Sequence, residues 1–338
     1  MNAPISRLEW LQLRQSGIGG SDIAAILGLS PWKTALDIYL SKVEPIDAAD
    51  DQTSEAAYWG TTLETMVAEE YARRTGRKIQ RINTTMRHPE HGFMLANIDR
   101  AIVTEGSRAR VGTDGYLAGA DGLLEVKTAG AFSAKDWGHE GDGEAIPVHY
   151  ACQAHWYMAV TGAAWCDFAV LVGGQKFLTK RVERDQEVIA GLIAKAREFW
   201  TLVEARTPPA PSNGADVQTL WPRESDALVE ADDATFAAFT RAVELRAQID
   251  ALDKDLQTEV EAMKLAIGSA QGLTVAGKKA VTFKAPAASA KTDWKKAASD
   301  IKGWMLANHI PDGVDAVRDC IDQNTTTSEA ARRFVFCK

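Results

Sequence analysis

The sequence predicts an α/β fold, and three observations carry that reading. An apolar strand, Gly122 to Thr128, holds a Glu and a Lys two residues apart. A second apolar run, Phe93 to Val103, reads as a strand with Asp99 in its middle. Helical periodicities accompany both, over 54–74, 147–162 and 185–205. Residues two apart in a strand share a face, so Glu125 and Lys127 stand side by side. Burying such a pair is costly unless it has a task. Hydrolysis assisted by a divalent cation is the task that fits. A carboxylate is a hard oxygen ligand, and an ammonium orients water and balances charge at a phosphate transition state. Asp99 supplies a second acid.

The 338 residues suit one large domain with an appendage, or two domains. Apolar residues make up 46% and charged residues 25%, the proportions of a soluble globular chain. No apolar run has the length of a membrane span and Met1 to Arg7 has no apolar signal core, so the expectation is a cytoplasmic protein without a membrane partner. Cys152, Cys166, Cys320 and Cys337 form no C-x-x-C pair, which predicts reduced thiols. A net charge of −8 excludes a basic coat for nucleic acid, but not an enzyme with a local basic channel.

In chain order, residues 6–15 form a short amphipathic helix. Arg14 to Asp22 then runs through a glycine-rich loop, with Ser21 as N-cap of the next helix. Such a loop is either a phosphate cradle or a capped turn, and Arg14 adds a forked donor beside it. Ser30-Pro31 is expected to start a helix reaching about Lys42. The helix from Ser54 to Arg74 turns Tyr58, Leu63, Met66, Val67 and Tyr71 inward, ends at Gly76, and places Glu64 beside its apolar face as a third carboxylate. Strands are expected over 78–83 and 92–103, joined by a turn from Met86 to Gly92. Asp114 and Asp121 each precede a glycine and read as turn formers, Asp114 being the alternative to Asp99.

A helix from Pro147 to Gly162 can turn Gln153 towards the strands, although a helical Gln is more often a bystander. A Gly173-Gly174 hairpin and a helix over 185–205 follow. The predicted division is a core over 1–206, a Pro-rich linker over 207–231, and a helical extension with a β-hairpin over 232–338. The extension holds a long amphipathic helix over 233–267, a hairpin over 273–284, and helices near 292–308 and 313–322. Lys278, Lys279, Lys284, Lys291, Lys295 and Lys296 either line a DNA path or form a solvated face.

An Asp on one strand followed by Glu-x-Lys on the next is the arrangement of the PD-(D/E)xK nucleases. With Leu13-Arg14 to Gly20-Ser21-Asp22, Gly60 to Glu64, Asn97-Ile98-Asp99, Leu124 to Lys127 and Tyr150 to Gly162 in this order, residues 8–200 resemble the YqaJ-type viral recombinases, the family of phage lambda exonuclease. The resemblance implies a PD-(D/E)xK core, a central mixed sheet flanked by helices, with the helical C-terminal extension outside the match. It implies that Asp99, Glu125 and the Val126 carbonyl hold magnesium, or manganese as a substitute. Glu64 is then an additional acidic residue and candidate ligand, Lys127 activates water, and Gln153 is the glutamine of the family's Q-x-Q helix. Arg14, Ser21 and Asn97 would contact the 5′-phosphate. Departures are His155 at the second Gln, Asn97 in place of a serine, Ile98 where many members have Pro, and a long Asp99–Glu125 separation that implies a hairpin insertion.

The expected activity is a magnesium-dependent 5′-to-3′ exonuclease on double-stranded DNA ends, of phage or prophage origin in a bacterial host. It would leave 3′ single strands for recombination by annealing. The expected partners are DNA ends, a single-strand annealing protein and two further copies in a trimeric ring. The alternatives are a structure- or site-specific endonuclease on the same core and a catalytically silent DNA-binding scaffold.

Overall fold

The computed structural model describes residues 7–46, 54–138, 145–284 and 294–310, with 315 and 318. The chain divides into two compact units, Met1–Pro222 and Arg223–Lys338. The first unit opens with α1 (Arg7–Gln15), α2 (Gly20–Ile26), α3 (Ala35–Val43) and α4 (Glu55–Thr75). Then come β1 (Ile79–Gln80), β2 (Met86–Arg87), β3 (Leu95–Ala96), β4 (Arg100–Val103), β5 (Arg110–Val111), β6 (Leu117–Ala118) and β7 (Ala120–Ala129). A 3-10 helix (Ala131–Trp137) leads to α5 (Val148–Thr161), β8 (Trp165–Val172), β9 (Lys176–Glu183), α6 (Gln186–Glu204) and α7 (Gly214–Leu220).

The main sheet has five strands in the order β1-β4-β7-β8-β9. The β7–β8 pair is parallel, with α5 as its crossover, and the other pairs are antiparallel. The fold is therefore α/β with a mixed sheet flanked by helices, as expected. Alternation along β7 and β8 sorts the two faces. Leu123, Cys166, Phe168 and Val170 enter the large core with Ile23 of α2, Trp156 of α5 and Leu192 of α6. Leu124, Val126 and Ala169 point the other way, against Val67, Ala68 and Tyr71 of α4. On that second face the Asp167 carboxylate is buried but fully engaged: Tyr71 OH (2.6 Å), Arg77 (2.9 Å) and Arg181 (2.6 Å) all donate to it.

Several boundaries follow from capping. Ser54 accepts the Ala57 N–H at the start of α4, and Gly76, with φ of 70°, ends it in the left-handed conformation. Gly162 ends α5 in the same way. Other boundaries differ from the sequence expectation. The helix after Ser30 begins only beyond Thr34, whose hydroxyl accepts the Asp37 N–H while Asp37 accepts the Thr34 N–H. Ser30 instead closes a turn, accepting N–H groups from Trp32 and Lys33. In α2 the cap position is Gly19, whose N–H donates to the Asp22 carboxylate at 3.0 Å, so Ser21 lies inside the first turn. Tyr58 and Met66 of α4 are exposed, because the helix lies on the sheet over a narrower stripe than the pattern implied.

The run over 92–103 is not one strand. It forms β3, which pairs with β2 where a turn was expected, and β4, with Asp99 in the bend between them. The long excursion before β7 contains the β5–β6 hairpin, the insertion implied between Asp99 and Glu125. Asp114 is in its turn, accepting the Tyr116 N–H at 3.1 Å, and Asp121 accepts the Thr104 hydroxyl. Part of the segment expected to be a linker is ordered as α7. Its Asp216 accepts the Thr34 hydroxyl at 2.9 Å, which fastens it to the first unit.

The second unit contains α8 (Asp233–Ile267), the hairpin β10 (Gly272–Val275) and β11 (Lys278–Thr282), and α9 (Trp294–Ala307). Along α8 the side chains of Leu245, Ile249, Leu252 and Leu256 are exposed, whereas Ile267 is buried. Lys278, Lys279, Lys284, Lys295 and Lys296 are exposed. Lys291, Cys320, Cys337 and most of the helix expected over 313–322 lie outside the described residues. Cys152 and Cys166 are free and buried. No helix among the described residues is long and apolar enough to cross a membrane.

Candidate active site

The face of β7 that carries Glu125 and Lys127 looks towards α5, and one hydrogen-bonded group forms there. The Lys127 ammonium donates to Glu125 Oε1 at 2.7 Å and to Gln153 Oε1 at 3.1 Å. Gln153 Nε2 donates to the same Glu125 oxygen at 2.6 Å and to the Tyr157 hydroxyl at 3.1 Å. Gln153 and Tyr157 are one helical turn apart on α5, so both reach the same strand. Burial works against the Lys127 charge, but Glu125, helped by Asp99 and Tyr150, holds its pKa above the ordinary value. The side chain is an ammonium at neutral pH.

Asp99 joins this group from the neighbouring chain. Its Oδ2 accepts the Val126 N–H at 2.8 Å. β4 pairs with β7 only up to Leu124, so beyond that point the Asp99 side chain takes the place of a strand partner. Burial pushes the Asp99 carboxyl up to about 8, with the Glu125 charge adding to it and the Val126 N–H opposing. An unfolded Asp titrates near 4, so the folded chain binds the extra proton between those values. Its contribution to stability is full below about 4 and is lost as pH rises through about 8. Asp99→Asn keeps the acceptor for Val126 and removes the ionisable group. In metal-free protein the variant is expected to be more stable than the parent at pH 9 by roughly 1–3 kcal/mol, with a smaller gain at pH 5. Thermal unfolding at the two pH values measures this, and an equal or negative difference at pH 9 refutes it.

Glu64 approaches from the other face of the sheet, on α4. Its Oε1 is bound to Arg100 at 2.6 Å. Arg100 is buried and also donates to the Asp99 carbonyl at 2.6 Å. The third carboxylate is thus tied to an arginine rather than joined to the other two. Among the described residues no group of three or more His, Cys, Asp and Glu is gathered for a metal ion. The two central carboxylates nevertheless suit a hard divalent cation. Neither Asp99 Oδ1 nor Glu125 Oε2 is hydrogen-bonded to a described residue, and burial together with the neighbouring Glu125 charge disfavours the Asp99 carboxylate, a cost that a cation would offset. In a strand a residue's N–H and C=O leave along the same edge, so the Val126 carbonyl lies on the edge where its N–H meets Asp99. Two carboxylates and one carbonyl are a donor set for an ion that keeps much of its water, as magnesium does.

Beside this group lie two clefts. One, of about 180 Å³, is lined by Trp10, Arg14, Gly20, Ser21, Asn97 and Tyr157, among others. The structure therefore brings together Arg14, Ser21 and Asn97, with Arg14 donating to the Ser21 hydroxyl at 3.4 Å and Asn97 accepting from Thr85. The other, of about 260 Å³, has Arg14 and Ser21 at its lining together with Lys127 and Gln153. Tyr157 forms part of the wall because Gly20 has no side chain: a Cβ there would lie 2.4 Å from its ring.

Sequence reasoning missed the support of Arg14. Asp22 is buried between Arg14, at 3.0 Å, and Lys42, at 2.8 Å, and Lys42 also donates to the Arg14 carbonyl. Burial alone would raise the Asp22 pKa, but the Lys42 and Arg14 charges hold it below the usual carboxylate value. Asp22 was legible as part of the loop motif; Lys42, on another helix, carried no signal. Tyr157 was legible only as one residue of the α5 periodicity.

The family model described as YqaJ-like viral recombinase domain matches residues 9–164, a span holding every site residue named above. This segment is similar to the YqaJ-like viral recombinase domains. The protein YqaJ of Bacillus subtilis (strain 168) is 41% identical to this chain over 201 residues, which are 59% of this chain and 57% of that protein. The chain thus aligns with little more than half of its curated relative. Among solved structures, an alkaline exonuclease from Laribacter hongkongensis is similar over 59% of this chain and 93% of its own, with 19% identity and a TM-score of 0.44. A phage-related exonuclease from Haemophilus somnus 129PT is similar over 58% of this chain and 99% of its own, with 12% identity and a TM-score of 0.42. The matched span ends just after α5, so β8, β9 and α6 complete the sheet and core from outside it.

Proposed function

We propose that this protein is a magnesium-dependent exonuclease that digests one strand of double-stranded DNA from its 5′ end, leaving a 3′ single strand for recombination. The observation that carries the reading is the convergence of Asp99, Glu125, Lys127 and Gln153 on the sheet, beside a cleft shared with Arg14 and Ser21. Asp99, Glu125 and the Val126 carbonyl would hold the ion, which supplies charge neutralisation at the scissile phosphate. Lys127, as an ammonium, orients the attacking water and balances charge rather than accepting a proton. Gln153 fixes both Lys127 and Glu125. Arg14, with Ser21 and Asn97, grips the terminal 5′-phosphate and so sets the polarity of digestion. Glu64, paired with Arg100, lies within electrostatic reach of Asp99 and is the additional acidic residue of the site. A ring of three copies around DNA and an annealing partner belong to the same reading, with manganese able to replace magnesium.

The test is digestion of a linear duplex bearing a phosphate on one 5′ end and a hydroxyl on the other, in magnesium, beside a closed circular plasmid. Loss of the 5′-phosphorylated strand with the circle intact is expected. Cutting of the circle would assign an endonuclease instead, and silence on both substrates under magnesium and manganese would leave a DNA-binding scaffold.

A further inference from the structure

The larger cleft has a wall that the proposed chemistry does not use. Trp32 stands at its mouth, 68% exposed, on the turn that Ser30 closes. Its ring meets His149 edge-on at 4.9 Å, and Tyr150 lies 6.3 Å away at a tilt. Tyr150 is itself backed by the buried Trp137, stacked at 5.3 Å, and carries the Lys127 ammonium over its face at 4.7 Å. The shelf is therefore built on the core and borders the reacting groups directly. His149 Nε2 is buried with no hydrogen-bond partner among the described residues. A large indole left in water beside an unpaired ring nitrogen is a surface shaped for a flat group that also carries polar edges.

We infer that Trp32, with His149 and Tyr150 behind it, is the stacking platform for the base of the 5′-terminal nucleotide. The inference rests on the exonuclease reading. If the terminal phosphate is held at Arg14 and Ser21 and the bond to be cut lies at Glu125 and Lys127, one nucleotide spans the space between them. All four residues or their direct partners line this single cleft or hydrogen-bond into it, and Trp32 lines it too. The base of that nucleotide leaves the duplex stack and needs a replacement π-face. Stacking on an aromatic ring provides one without regard to sequence, as an enzyme that steps along any duplex requires. Trp32 is thus a substrate-positioning residue, not a catalytic one.

The experiment uses the full chain with calcium in place of magnesium and a duplex whose 5′-phosphorylated terminal nucleotide is 2-aminopurine, a base whose fluorescence falls on stacking. End binding is followed in parallel by anisotropy, and digestion in magnesium is measured separately. The expected result is quenched 2-aminopurine with the parent protein and with Trp32→Phe. Trp32→Ala should leave it bright at saturating protein and bind ends about tenfold more weakly, within the range that one base–aromatic stack supports. Equal quenching by the parent and Trp32→Ala at saturation overturns the platform while leaving the exonuclease reading intact. A parent protein that neither binds ends nor digests the duplex overturns both.

Discussion

Lys127→Ala is expected to lower the rate of strand digestion by roughly 10²–10³-fold, the usual loss when one preorganised donor to a developing charge is removed. Binding to DNA ends should stay within a few-fold of the parent, because Arg14, Ser21 and Asn97 are not touched by the change. The structure makes this a demanding test. The Lys127 ammonium is bonded to Glu125 and Gln153 at once, so its loss also leaves the carboxylate beside Asp99 without its countercharge. Lys127→Met, which retains most of the side-chain volume but not the charge, separates loss of charge from loss of packing: a loss as large as that of alanine assigns the effect to the charge. Initial rates on a 5′-phosphorylated duplex, with anisotropy for binding, give both quantities. Near-parental digestion by either variant would reduce Lys127 to a structural partner of Glu125.

Asp22→Ala is expected to cost about 3–5 kcal/mol of stability, the range for breaking a buried ion pair from one side. Lys42 is the reason: its side chain is 2% exposed and, among the described residues, would retain only the Arg14 carbonyl as a partner without Asp22. Arg14 is 35% exposed and can regain water. Because the folded pKa of Asp22 is depressed, its stabilisation is present above the unfolded value near 4 and is lost as pH falls through the folded one. The parent should therefore lose stability in acid over a range where Asp22→Asn changes less. Urea unfolding at pH 7 and pH 3 measures both effects, and Asp22→Asn serves where the alanine variant does not fold. The same change releases Arg14 from its anchor, so a folded variant should lose discrimination between 5′-phosphate and 5′-hydroxyl ends. Unchanged discrimination would show that Arg14 is positioned by other contacts.

Both predictions concern residues whose types were visible in the sequence but whose surroundings were not. The sequence by itself determined the elements with strong local signals. The apolar run around Glu125 and Lys127 could be little other than a buried strand, and its period of two placed both side chains on one face. Gly76 and Gly162 ended their helices because the left-handed conformation costs a glycine nothing. The Gly173-Gly174 turn and the bounds of α8 were equally local.

Where two signals competed, only the tertiary structure decided. Asp99 interrupts what reads as a continuous strand, because its carboxylate takes the Val126 N–H that a strand neighbour would otherwise have taken. Ser30 was the expected cap, but the fold used Thr34, which Asp216 also engages from 182 residues away. The pattern of α4 could place Glu64 near the sheet, but the buried Arg100 that holds it comes from a strand paired in another part of the chain. Lys42 and Tyr157 became parts of the site through the packing of α2, α3 and α5. Local rules act over a few residues, whereas a buried charge is placed by whichever distant partner can neutralise it. The residue types needed for the chemistry were therefore legible in the sequence, and the partners that hold them were decided by the fold.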